Sequence, residues 1–110
     1  MRVVQELEEA RLMLRDMCQV ISDRCMFITL KNSGCIAGVG YWHAVQRLLR
    51  EEFPRADFTL YVCCGTNAAI AHDALRLGLN VRFLGSDVMR AKLEAIADGL
   101  GLSVIPENDE

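Results

Sequence analysis

The chain carries little with which to hold a metal, cross a membrane or grip a nucleic acid. Its 110 residues include only two histidines, His43 and His72, which are far apart in sequence. Its five cysteines, Cys18, Cys25, Cys35, Cys63 and Cys64, contain no CxxC pair. No zinc site and no other metal or cofactor is expected from that set. Adjacent Cys63 and Cys64 cannot bridge each other without straining the peptide between them, so in a reducing compartment all five are read as reduced thiols. Twelve Lys and Arg stand against fifteen Asp and Glu, a net charge of −3, and no segment forms a basic stripe. Nucleic-acid binding therefore has no electrostatic support. The longest uncharged apolar runs, such as residues 58–64, are far too short to span a bilayer. The first residues turn acidic at Glu6 and lack the apolar run of a secretory signal, which makes the cytoplasm the expected location. Glycine-rich phosphate fingerprints are missing too. Gly34, Gly38 and Gly40 fit neither GxxxxGK nor GxGxxG.

What is present is an ordinary globular composition, 52% hydrophobic and 25% charged, on a chain long enough to bury a core without staples. One domain over residues 1–110 is expected, with 106–110 an acidic tail that frays.

Periodicity divides the chain into alternating elements. Val3, Leu7, Ala10, Leu14, Met17 and Ile21 recur at helical spacing, which predicts a first helix over 3–22. Residues 26–30 form a short apolar run without alternation, as in a strand covered on both faces. A glycine-containing loop over 31–40 leads to a second helix over about 41–52, with Trp42, Val45, Leu48 and Leu49 inward. Phe53-Pro54 stops it, because the residue before proline avoids helical geometry. Two similar units follow. Residues 58–63 read as a strand and 68–77 as a helix closed by Gly78. Residues 81–84 read as a strand, with a helix to about Asp98 closed by Gly99. A last strand covers 102–105, and Pro106 ends it.

Strand–helix alternation argues for a mostly parallel sheet with right-handed crossovers. Four apolar strands and four helices suggest a three-layer α/β/α domain, two helices on each face, like half of a Rossmann-type fold. That arrangement gives the strand order 2-1-3-4, with 3-2-1-4 as the rival. Phe53-Pro54, the turn Cys63-Cys64-Gly65-Thr66-Asn67 and the helix ending Ala74-Leu75-Arg76-Leu77-Gly78 resemble small bacterial α/β proteins of no assigned activity. In those a strand ends in an acidic-Cys-Gly-acidic turn and a helix ends in Ala-Leu-Arg-x-Gly. The resemblance covers about residues 40–105 and implies the fold and no activity. Cys63 and Thr66 stand here at the two acidic positions, so any ligand served by those carboxylates is lost or changed.

Open parallel sheets bind ligands at the carboxyl ends of their strands, where the winding reverses. In the order 2-1-3-4 the loops meeting there are Lys31-Asn32-Ser33-Gly34 and Gly85-Ser86-Asp87, flanked by Cys64-Gly65-Thr66. Helix N-termini point to the same edge and favour anions. Lys31 would supply charge, and Ser33, Ser86 and backbone N–H groups hydrogen bonds, to a small anionic ligand. Each of these residues also has a plain reading. Lys31 is a solvated strand-end lysine, Asn67, Ser86 and Asp87 serve as helix caps, and Trp42 packs in the core. Cys64, next to a helix start, is a candidate nucleophile if the dipole lowers its pKa and a packing residue if it does not. His43 is the one histidine able to approach it, since His72 lies inside a helix. No acid–base constellation can be assembled by spacing, which leaves an enzyme as the weakest reading. Val4, Leu12 and Met13 widen the apolar arc of the first helix. They suggest the other reading, a homodimeric structural or interaction protein paired through that helix.

Overall fold

The computed structural model describes residues 2–4, 6–17, 25–29, 34 and 37–106. In chain order these form β1 (Arg2–Val4), α1 (Leu7–Met17), β2 (Cys25–Thr29), α2 (Val39–Glu52), β3 (Phe58–Cys63), α3 (Ala68–Arg76), β4 (Asn80–Arg82), α4 (Asp87–Leu100) and β5 (Val104–Ile105). The expected α/β class with a parallel sheet is correct. All five strands are parallel, and their spatial order is the sequence order, β1-β2-β3-β4-β5.

Three sequence expectations need correction. The sheet has five strands rather than four, because Arg2-Val3-Val4 pairs with β2 instead of opening the first helix. Val3 fell on the helical stripe, and Val4 on its flank, by spacing alone. Their β-branching, which stiffens χ1 and suits a pleated surface, is the stronger influence. Neither 2-1-3-4 nor 3-2-1-4 is the strand order, so the winding never reverses. Successive right-handed crossovers between neighbouring strands place every helix on the same side. Accordingly α1 packs on α2, α2 on α3 and α3 on α4. Among the described residues the helices form one layer on one face of the sheet, not the two layers of a three-layer domain.

The core lies between that layer and the sheet. Alternation along β3 sends Phe58, Leu60 and Val62 toward the helices, joined by Val4, Cys64, Val81, Phe83 and Val104. They meet Ala10 and Leu14 of α1, Trp42, Val45 and Leu49 of α2, Ala71, Ala74 and Leu75 of α3, and Leu93 and Ala97 of α4. Burying each large side chain there contributes about 1.5–3 kcal/mol. On the opposite face Ile28, Tyr61 and Cys63 are buried as well.

The two C-terminal units share their punctuation. Asn67 caps α3 by accepting from Ile70 N–H at 3.0 Å, and Ser86 caps α4 by accepting from Met89 N–H at 3.3 Å. Each helix ends in a Schellman turn. After α3, Leu79 N–H reaches Ala74 O and Gly78 N–H reaches Leu75 O. After α4, Leu102 N–H reaches Ala97 O and Gly101 N–H reaches Asp98 O. The left-handed residues are Gly78, φ 85°, and Gly101, φ 72°. Gly101, not Gly99, therefore closes the last helix, two residues beyond the sequence expectation.

Candidate functional site

The four described helices run back from the carboxyl edge of the sheet, so their N-termini lie along it. Each leaves its first N–H groups without intrahelical acceptors. What satisfies them differs from helix to helix. At α1 the Tyr41 hydroxyl accepts from Leu7 N–H at 3.3 Å, with Glu8 and Glu9 in the first turn. At α3 Asn67 accepts, and at α4 Ser86 accepts with Asp87 beside it. At α2 the N-cap is Gly38, φ 88°, which has no side chain to accept, and no acidic residue stands in the first turn. A Cβ placed on Gly38 or Gly40 meets nothing within 4 Å among the described residues.

The residues expected to bind a ligand separate along this edge. β3 lies between β2 and β4, so the carboxyl ends of those two strands are not neighbours. Two strand spacings, about 10 Å, hold them apart. Ser86 is occupied as the cap of α4, and Asp87 pairs with Arg90 at 2.7 Å while remaining largely exposed. Both follow their capping reading. Gly85 sits against Phe83, and a Cβ there would lie 2.3 Å from the ring. The need for glycine at that position is packing. Lys31, Asn32 and Ser33 lie outside the described residues. Gly34 is buried against the end of β3, where an added Cβ would come within 3.1 Å of Cys64 Sγ and of Val62 Cγ1.

The turn after β3 is held by its backbone. Cys64 N–H donates to Arg82 O at 3.0 Å, Leu84 N–H to Gly65 O at 2.8 Å, and Asn67 N–H to Cys64 O at 3.2 Å. Gly65 takes φ 59°, and Thr66 is exposed at the tip. Nearby, Thr29 Oγ1 accepts from Cys63 N–H at 2.9 Å and ties the ends of β2 and β3 together. Cys64 does not face the mouth, contrary to the nucleophile reading. It is 0% exposed within the core, its Sγ 3.6 Å from Val62 O. Cys63 is buried on the other face.

Sequence reasoning did not single out two side chains on α2 for what they carry. Trp42 is buried, and its Nε1 has no hydrogen-bond acceptor among the described residues. Gln46, one turn further on, donates from Nε2 to Gly78 O at 3.2 Å, while its Oε1 has no partner among the described residues. The helical stripe correctly placed Trp42 in the core but could not show that its N–H would go unsatisfied there.

Elsewhere, Glu94, Ala97, Asp98, Leu102, Ser103 and Val104 line a shallow groove beside β5. No group of metal-ligating side chains comes together among the described residues. No described helix is long and apolar enough to cross a membrane. Neither a protein-family model, nor a curated protein, nor a solved structure matches the chain, so its own geometry carries the functional reading.

Proposed function

We propose that the protein binds a small anionic ligand at the carboxyl edge of its sheet, at the start of α2. The observation that carries this reading is the contrast among the four helix starts. Three are served by Tyr41, Asn67 and Ser86, whereas α2 begins at Gly38 with no side-chain cap and no acidic residue in its first turn. A helix N-terminus in that condition presents aligned N–H donors and a partial positive charge to an anion. Lys31, Asn32 and Ser33 precede it in the chain, and Lys31 supplies the full charge. Ser86, Asp87, Gly65 and Thr66 belong to neighbouring turns and shape the edge without contacting the ligand. Buried thiols at Cys63 and Cys64 suit a reducing, cytoplasmic setting.

Thermal-shift measurement at constant ionic strength tests the proposal, with inorganic phosphate, nucleotides and small carboxylates as probes. A charge-assisted hydrogen bond contributes about 1.5–3 kcal/mol, so Lys31→Ala should weaken the response about ten- to a hundredfold. No saturable stabilisation of wild type, or equal stabilisation of both proteins, would overturn it.

A second reading, homodimerisation through α1, draws on Leu12, which is 57% exposed on that helix. Sedimentation at micromolar concentration showing only monomer would remove it.

A further inference from the structure

We infer that the indole N–H of Trp42 is a ligand donor of this anion site, acting together with the first-turn amides of α2. The inference rests on the proposed anion reading and adds to it a named side chain. Trp42 is 1% exposed, yet its Nε1 has no acceptor among the described residues. Buried indole N–H groups are nearly always paired, because an unmet donor in the interior keeps its full desolvation cost.

Position links this donor to the start of α2. Side chains on a helix lean toward its N-terminus, so the indole at position 42 lies beneath the first turn, which begins at Val39. Its neighbour Tyr41 meets it edge-on, ring centroids 5.0 Å apart, and places its hydroxyl on Leu7 N–H where α1 begins. Both rings therefore belong to the carboxyl edge. The first-turn amides of Val39 and Gly40 and the Trp42 indole are all neutral donors, and Gly38 brings no side-chain acceptor to them. An oxygen of a carboxylate or phosphate group is the acceptor such a set recognises. The competing occupant is a water molecule bridging Trp42 Nε1 to Gln46 Oε1, since both atoms are unpartnered one turn apart.

Trp42 is the only tryptophan in the chain, so its emission reports this position alone. Wild-type protein is titrated with inorganic phosphate and with acetate, chloride holding the ionic strength constant. The expected result is a saturable change in tryptophan emission whose midpoint matches that of the thermal shift. The stronger of the two probes identifies the oxygen group. Trp42→Phe keeps a buried ring, lacks the donor, and should raise the thermal-shift midpoint about ten- to a hundredfold. A saturable thermal shift with unchanged emission and an unweakened Trp42→Phe variant would overturn the role of Trp42, assign its N–H to the bridging water, and leave the anion site standing. Failure of wild type to respond to either probe would remove both. If the variant does not fold, the wild-type emission titration decides alone.

Discussion

The loop into α2 and the two C-terminal turns solve the same local problem in opposite ways. At Asn67 and Ser86 the chain satisfies its own helix starts with a short oxygen-bearing side chain three residues before the N–H it accepts. At Gly38 it supplies backbone only, in a left-handed conformation, with glycine again at position 40. The first arrangement stabilises the fold and leaves little for a ligand. The second gives up that stabilisation and keeps donors open. On the anion-site proposal, binding at this sheet edge depends on which caps are absent, more than on which polar residues are present.

The largest effect that would probe this contrast comes from Gly85. Gly85→Ala forces a Cβ to within 2.3 Å of the buried Phe83 ring and should destabilise by about 1–3 kcal/mol, measured by urea denaturation. An unchanged midpoint would mean that the turn after β4 is as open as the start of α2. Next come the caps. Asn67→Ala and Ser86→Ala should each cost about 1 kcal/mol without altering any anion response. A cap variant that gained an anion response would show that the site is not restricted to α2.

Gly40 offers a smaller effect of opposite sign. Gly40→Ala should stabilise by about 0.5–1 kcal/mol, because glycine inside a helix loses more backbone entropy than alanine and the space there is open. Gly40→Asp adds a carboxylate in the first turn, worth about 0.3–1 kcal/mol against the helix dipole. It should keep the fold and abolish anion stabilisation, because the carboxylate occupies the same positive end. Retained anion stabilisation in the aspartate variant would place the ligand elsewhere.

The smallest expected effect is at the other end of α2. Arg11 donates from Nε to Glu52 at 2.7 Å and also pairs with Glu8, and Arg15 reaches Glu52 at 3.6 Å, joining α1 to α2. The hydrogen bond to Glu52 raises the Arg11 pKa; desolvation opposes it, and the charges of Glu52 and Glu8 add to the rise. A raised cation pKa gives stability that is present below the ordinary arginine value and lost only as pH climbs through the still higher folded one. The pairing should therefore add no pH dependence from Arg11 across the neutral range. Glu52→Gln should lower the melting temperature slightly at low salt and not at high salt.

Much of this fold could be read from the sequence, and the failures have physical reasons. The strand at Phe58–Cys63 and the helix at Ala68–Arg76 were legible because an apolar run and a clean helical stripe are bounded by turn residues. The capping roles of Asn67 and Ser86 were legible from local chemistry alone. Strand order was not, because neighbouring strands in a parallel sheet are chosen by packing over long sequence separations. The uninterrupted apolar character of β3 suggested helices on both faces. Tyr61 and Cys63 are indeed buried, but every described helix lies on the side of Phe58, Leu60 and Val62. The candidate site moved for the same reason. With β3 between β2 and β4, Ser86 and Asp87 follow a strand that is not the neighbour of the one preceding α2, and the proposed site centres on Gly38, Gly40 and Trp42.

The most direct test is an amide chemical-shift titration with inorganic phosphate, comparing the first turns of α2, α3 and α4 in a single experiment. Saturable shifts concentrated at Val39, Gly40 and Tyr41, with the amides of Ala68 to Ile70 and Asp87 to Met89 unmoved, are the predicted result. Shifts centred on the Asn67 or Ser86 turns, or no saturable shift at any of the three, would contradict it.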